Sequence, residues 1–435
     1  MGIWDDNADV MPLEDKSTFL TSEIQYMNLP PPPQDDDPII TQFKPVQDQW
    51  ELTDENIYRI DPKTGQLILH NYCEYINTTS HEVYRYLIET KGCDVHVQDN
   101  LNRNSIYPAL RSFDPNKGGD ITVLMYLLNQ ENVNGNIKDK CGETLIHYAC
   151  DNINTLPLDV FKFLIETLGC GVNVQNNSNQ TSIHLAFRCF HPTHGGNITA
   201  LMYLLSQKGI NGNTKDKYGD NLLHMACERI NSLPLEIFQH LIQKHGCDVN
   251  AQNDSKDTPL HLALRYFDPN NGGDITVLTY LLSQKGIDGN INGKSGYTIL
   301  HYPCKRINNI PIDVFKLLIE TVGCDVNAQN NYKDTPIHYV FRHFDPNDDG
   351  DLIPVLVYLL SQKGVDVNIK DKDCYTILHL ACICEIADDD DDDDEGLKDS
   401  VIEDIQNQKA DANLCRIVEI IAERCIQHVL DETTP

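Results

Sequence analysis

Basic residues are scarce in this chain. Its 435 residues carry 34 Lys and Arg against 65 Asp and Glu, a formal charge of −31 with neutral His. Neutralising phosphates takes the opposite sign, so neither nucleic-acid binding nor docking on an anionic membrane surface is expected. Long apolar runs are missing too: no stretch approaches the ~18 residues that a membrane span needs. The opening Met1-Gly2-Ile3-Trp4-Asp5-Asp6 is acidic and lacks the basic and apolar regions of a signal peptide, and Asp6 stands where a myristoylation signal wants Ser or Thr. These absences predict a cytoplasmic protein with no membrane insertion. There is no Gly-rich phosphate loop, no HExxH and no CxxC pair. No catalytic residue, metal site or cofactor is therefore expected, and the chain does not read as an enzyme. Apolar residues, at 40%, are plentiful enough for a sizeable core, which excludes wholesale disorder.

Of the fifteen cysteines, eight are spaced by a ruler. Cys73, Cys150, Cys227 and Cys304 fall 77 residues apart, and so do Cys93, Cys170, Cys247 and Cys324. A thiol that recurs once per unit suits a small buried residue better than a disulfide or a zinc ligand. A phrase of the form Thr-x-Leu-His obeys the same ruler. Its last residues are His70, Tyr107, His147, His184, His224, His261, His301, His338 and His379, separated by 37, 40, 37, 40, 37, 40, 37 and 41 residues. Nine repeats thus alternate between two lengths, as in a solenoid whose members touch only their neighbours. The regularity overrides the roughly three separate domains that such a length would otherwise suggest.

Within a repeat, Thr258 to Arg265 opens a short helix with apolar residues three and four apart, and Ile312 to Glu320 reads as a second. Gly323-Cys324-Asp325-Val326-Asn327 then supplies turn residues before the next repeat. Neither helix can bury its apolar stripe alone, so neighbours must stack. Thr258-Pro259-Leu260-His261-Leu262-Ala263 and Leu359-Leu360 followed by Asp366-Val367-Asn368 make this chain resemble the ankyrin repeat family. The resemblance covers about residues 57–430. It implies an all-α solenoid of helix-turn-helix repeats joined by hairpin loops, in which the phrase histidine ties neighbouring loops together. Repeats of that family run to ~33 residues, so these are longer, mainly between the two helices.

The longer repeats carry an insert there, Phe113-Asp114-Pro115-Asn116-Lys117-Gly118-Gly119-Asp120, with siblings starting at Phe190, Phe267 and Phe344. Asp-Pro and Gly-Gly are turn chemistry, and Asp120, Asn197, Asp274 and Asp351 stand ready to cap the second helix. The shorter repeats place Pro157, Pro234 and Pro311 in the first turn of that helix. Asp345-Pro346-Asn347-Asp348-Asp349-Gly350 begins like a calcium loop, but Leu356 stands where the bidentate Glu belongs, so it reads as a turn.

The ends differ. Residues 1–56 form an acidic, Pro-rich tail expected to be disordered, with repeats 1 to 8 and the first helix of repeat 9 over 57–387. Leu29-Pro30-Pro31-Pro32-Pro33 enforces a polyproline II rod and, with the acids after it, resembles ligands of EVH1 domains; the other reading is a solvated spacer. Asp388 to Glu395 is a run of eight acids within an acidic insert (388–410) that repels itself and cannot pack. Leu414, Ile417, Val418, Ile421, Cys425 and Val429 mark a capping helix over 411–430.

The expected function is a monomeric protein–protein interaction scaffold or adaptor. Arg111, Arg188, Arg265 and Arg342 recur every 77 residues and offer a basic ladder for an acidic partner, unless each pairs with an Asp of its own or a neighbouring insert. The alternative is a pathogen-derived effector or inhibitor that blocks a host protein and recruits an EVH1-type actin regulator through the proline rod. The resemblance also implies a modification: the Asn of Leu-x5-Asp-Val-Asn is hydroxylated in many ankyrin repeats, and Leu360, Asp366, Val367 and Asn368 alone fit that spacing, since Gly289 breaks the apolar position before Asn290.

Overall fold

In the computed structural model, the described residues are 57–191, 196, 198–306, 310–342 and 352–384. The proline rod, the calcium-like loop, Asn197, Asp351, the acidic insert and the C-terminal helix lie outside them. The described residues are helical and contain no β-strand. The chain divides into two compact bodies, residues 1–131 and 132–435. Repeats 1 and 2 fall in the first, repeats 3 to 9 in the second.

The described repeats that carry the phrase histidine start alike. In repeat 6 the first helix is Pro259–Tyr266, with Thr258 as its N-cap and Leu260, Leu262, Ala263 and Leu264 buried. The phrase histidine is the reason the turn is so well defined. His261 Nδ1 accepts the Thr258 backbone N–H at 3.1 Å, which leaves the proton on Nε2 to meet the Tyr297 carbonyl of the next repeat at 3.0 Å. His70, His147, His224, His301 and His338 repeat both contacts, each on its successor's loop. Far from being reachable by solvent, seven of the eight phrase histidines are buried; only His379 is exposed. Their role is structural, as the resemblance implied.

The two repeat lengths differ in how they make the second helix. In the short repeats it runs Leu158–Lys162, Leu235–Gln239 or Ile312–Lys316 and then widens into a π turn, Phe163–Thr167, His240–Lys244 or Leu317–Thr321. The Val322 N–H reaches back five residues to the Leu317 carbonyl. A π turn absorbs one extra residue, and the short repeats have one more residue than the long ones between the leucine and the hairpin Asp: Leu318 to Asp325 against Leu360 to Asp366. Pro157, Pro234 and Pro311 sit one place earlier than expected, as N-caps rather than within the first turn. In the long repeats, Asp120 and Asp274 cap Ile121–Leu128 and Ile275–Leu282 by accepting the N–H of the residue two ahead.

The insert is clamped. Asn231, between the two helices of short repeat 5, donates from Nδ2 to the Tyr266 carbonyl at 2.7 Å and accepts the Asp268 N–H at 2.9 Å, gripping the insert of long repeat 6 at its start. Asn154 grips Cys189 and His191 in the same way, and within the first body Asn77 grips Ser112 and Asp114. The Gly-Gly pair follows from this grip. Gly272 has φ +81°, and a Cβ on Gly273 would lie 2.8 Å from Asn231 Oδ1 and 2.6 Å from the Asp268 carbonyl. Phe113, Phe190 and Phe267 are buried beneath the inserts.

Candidate arginine edge

The first helices of the second body end along one edge, and arginine recurs there. Arg188, Arg265 and Arg342 fall in the last turns of Ser182–Cys189, Pro259–Tyr266 and Pro336–Arg342. The short repeats contribute two more that the 77-residue ladder passes over. Arg229 follows Leu222–Glu228 and donates from Nη2 to the Arg188 carbonyl at 2.5 Å. Arg306 follows His301–Lys305 and donates from Nη1 to the carbonyls of Arg265 at 3.0 Å and Phe267 at 2.9 Å. Each of these two satisfies carbonyls left open at the end of the preceding helix, where a cation is also favoured by the helix dipole. Five successive repeats therefore place a guanidinium on the edge. Arg111 belongs to the first body, where it is exposed at the end of Ile106–Ser112.

The expected alternative, pairing with insert aspartates, is met differently. Arg265 pairs through Nη2 with Asp257 at 2.7 Å, and Arg342 with Asp334 at 3.1 Å and also with Asp371. These acids come from the loops ahead of the Thr-x-Leu-His phrase, not from inserts. Arg188 lies 3.5 Å from Asp151 at the end of the preceding repeat's first helix. Of the insert acids, Asp268 pairs with Arg306 at 3.5 Å. Exposure is lopsided: the Arg265 side chain is 30% exposed against 2% for Asp257, and Arg342 32% against 0% for Asp371. At Arg265 and Arg342 an arriving partner meets the guanidinium rather than these carboxylates, whereas Asp151 and Asp268 are about as exposed as the Arg188 and Arg306 they pair with.

The edge opens into a polar cavity of about 640 Å³ lined by Arg229, Arg265, Tyr266, Asp268 and Arg306 among others. Beside Arg265, repeat 7 is built differently from its siblings. Where they begin the hairpin turn with Asp or Asn, it has Gly293, and a Cβ there would lie 2.5 Å from Asp257 Oδ1. Asp257 takes over, accepting the Lys294 N–H at 2.8 Å. Arg265 stacks over the Tyr302 ring at 4.8 Å from its centroid, and Tyr302 packs beside Tyr297 and, through it, Tyr339. Tyr and Arg are the residue types that dominate binding hot spots. The missing acid at 293 and the Arg at 229 and 306 are visible in the sequence; the ladder hid them because they follow the histidine at five residues instead of four.

Burial pushes the Cys170, Cys247 and Cys324 thiols up to about 12, far from the thiolate needed for metal binding or nucleophilic attack, and these three form no disulfide. Among the described residues no cluster of acids, His and Cys could hold a metal, and no helix is long and apolar enough to cross a membrane. At the hairpins, Asn136, Asn213, Asn290 and Asn327 each bridge to the next repeat. Asn290, for instance, donates to the Gly323 carbonyl at 3.0 Å and accepts the Asp325 N–H at 2.8 Å. Asn368 is exposed.

The family model described as Ankyrin repeats (3 copies) matches residues 115–216, 156–253, 193–292 and 223–330. Alpha-latrocrustotoxin-Lt1a of Latrodectus tredecimguttatus is 30% identical over 254 residues, 55% of this chain and 16% of the toxin. The B-cell lymphoma 3 protein homolog of Mus musculus is 26% identical over 233 residues, 54% of this chain and 46% of its own length. The chain thus spans less than half the length of these relatives. Among solved structures, the ankyrin repeat domain of Bcl-3 aligns with a TM-score of 0.39 at 23% identity, covering 55% of this chain and 94% of that one.

Proposed function

The chain is an ankyrin-repeat protein, and on that premise we propose that it is a non-enzymatic scaffold or adaptor that docks a partner along the arginine edge of repeats 4 to 8. The carrying observation is the interleaved row Arg188, Arg229, Arg265, Arg306 and Arg342, whose guanidinium groups are more exposed than the loop acids that hold Arg265 and Arg342. Arginine keeps donors to spare, since each guanidinium has five N–H groups and Arg229 spends one on the Arg188 carbonyl. A partner rich in Asp or Glu fits this edge by bidentate pairing. Proximity labelling would identify the partner. An Arg229→Gln and Arg306→Gln chain, in which glutamine can still donate to the helix-end carbonyls, should lose that partner while keeping its unfolding midpoint. Full retention of the partner would refute the assignment.

We also propose Asn368 as a site for an asparaginyl hydroxylase. Its loop matches the Leu-x5-Asp-Val-Asn spacing, and its side chain is exposed. Incubation with the hydroxylase should add one oxygen, about 16 Da, to the peptide bearing Asn368. The same shift on the Asn290 peptide but not on this one would refute the spacing argument.

A further inference from the structure

We propose that repeat 7 anchors the partner: a segment with an acid at every third residue crosses the edge, one carboxylate on Lys305 and its neighbours on Arg265 and Arg342. The inference rests on the edge being the docking surface, and it adds where the partner's charge falls and at what spacing.

The edge alternates in sign until repeat 7. Four residues after the phrase histidine stand Asp151, Arg188, Glu228 and Arg265 in repeats 3 to 6, then Lys305 and Arg342 in repeats 7 and 8. Two further positions change with Lys305. Directly before the phrase, Glu143 and Asp220 of the earlier short repeats give way to Tyr297, and four residues ahead of that Asp139 and Asp216 give way to Gly293. Three carboxylates in repeat 3, and three in repeat 5, are thus replaced by a single ammonium group in repeat 7. An acidic segment repelled at Asp151 and Glu228 is admitted here.

Packing alone does not ask for these changes. Asn176 Nδ2 donates to Glu143 Oε1 at 3.2 Å, and Asn253 Nδ2 to Asp220 Oδ1 at 2.7 Å. The corresponding Asn330 is 5% exposed, and with Tyr297 in place of the acid its Nδ2 has no partner among the described residues. Buried amides are normally hydrogen-bonded. A local rule broken at one repeat, where the siblings hold the satisfied form, points to a site rather than to stability. Tyr297 instead joins an aromatic group, its ring 5.7 Å from that of Tyr302 and 5.3 Å from that of Tyr339.

The cations left on this stretch are exposed above their acids. Lys305 is exposed. Asp257, which holds Arg265, is 2% exposed, and Asp334 and Asp371, which hold Arg342, are 6% and 0% exposed. Asp268 on the insert is paired with Arg306 at 3.5 Å, and Glu228 stands one repeat away, beyond Arg265. Packed helices lie ~8–10 Å apart, so Pro259–Tyr266, His301–Lys305 and Pro336–Arg342 set their three cations at about that interval. A polyproline II strand has three residues per turn at ~3.1 Å each and returns a side chain to one face every ~9 Å. Acids three residues apart therefore meet successive cations, and acids side by side do not.

The test uses the full chain at low salt and two fluorescent peptides of one composition, Glu-Pro-Pro-Glu-Pro-Pro-Glu and Pro-Pro-Glu-Glu-Glu-Pro-Pro. The spaced peptide should bind at least ~10-fold more tightly than the clustered one, equivalent to ~1.4 kcal/mol. Tyr297→Asp with Lys305→Glu gives repeat 7 the pair that repeat 5 already holds, and Asn330 regains an acceptor. That chain should keep or raise its urea midpoint and lose the preference for the spaced peptide. The reciprocal change, Asp220→Tyr with Glu228→Lys, should add a second binding site for it. Tighter binding at one site only would mean that net charge acts instead, and would overturn the proposal. Equal affinity for the two peptides, or a preference that survives Tyr297→Asp with Lys305→Glu, would also overturn it. The edge itself would still stand if Arg229→Gln with Arg306→Gln loses the partner. Binding of neither peptide to the unaltered chain, with the partner kept by that arginine variant, would overturn both readings.

Discussion

At the scale of single residues, the fold depends on atoms placed at van der Waals distance across repeat junctions. Gly289, which breaks the Asp-Val-Asn pattern, is a glycine because its neighbour needs the room: a Cβ there would lie 2.5 Å from Cys324 Sγ, and Gly212 and Gly135 face Cys247 and Cys170 in the same way. The 77-residue cysteine ruler and the missing valines are thus two sides of one contact. Gly212→Ala should cost about 1–3 kcal/mol by overpacking, and adding Cys247→Ala should recover most of it. Urea midpoints of the two single variants and the double variant measure the coupling, and additive losses would show that the thiol does not fill that space. The phrase histidines make a second residue-scale prediction. Burial, which penalises the charged ring, pushes His224, His261 and His301 down to about 4 from an ordinary 6.5. The unfolded chain then takes up protons between pH 6.5 and 4 that the folded chain refuses. Stability should be level above about pH 6.5 and fall as pH drops towards 4, by up to about 1.4 kcal/mol per pH unit for each such histidine. Chemical denaturation at pH 7, 6 and 5 measures the slope; equal midpoints at all three would contradict the burial argument.

At the scale of elements, much was legible and the exceptions have causes. Helix positions, the phrase N-caps and the alternation of lengths follow from the spacing of His and Thr, because each capping contact is local and spans three residues. The π turns were not foreseen as such, although their signal, one surplus residue ahead of Gly323 and its siblings, is plain in the spacing. A surplus residue can bulge, lengthen a loop or shift a register, and only packing against the next repeat selects among these. The asparagine clamp was likewise invisible, since Asn77, Asn154 and Asn231 recur in step with everything else and their partners lie 35 and 37 residues away. Asn231→Ala should remove both bonds to the insert at a cost of about 1–3 kcal/mol. The loss should show first as faster amide exchange at Asp268 and in the insert after it. Unchanged exchange there would mean that the buried Phe267, rather than the clamp, holds the insert.

At the scale of the whole chain, stability is a sum over neighbours, and the junctions are not equal. Repeats 1 and 2, 3 and 4, and 5 and 6 each share the asparagine clamp. In three short–long pairs a tyrosine–glutamate bond, Tyr126 to Glu89, Tyr203 to Glu166 and Tyr358 to Glu320, joins the second helices. Their first helices also meet over a broader surface than those across the junctions between repeats 4 and 5 or 6 and 7. Truncation after Asn327 should still leave a soluble, partly folded array; a fragment with no helical circular dichroism would contradict nearest-neighbour stacking. It strands a short repeat without its long partner, however, whereas truncation after Asn290 ends on a completed pair. The last repeat of the shorter fragment should therefore exchange its amides more slowly than the last repeat of the longer one. That inversion is a matter of grammar. A clamp that needs an insert on its far side makes the 77-residue couplet, not the single repeat, the smallest word this protein can gain or lose: a duplication or deletion of one repeat would leave an asparagine gripping nothing, and lineages of such chains should grow by even steps.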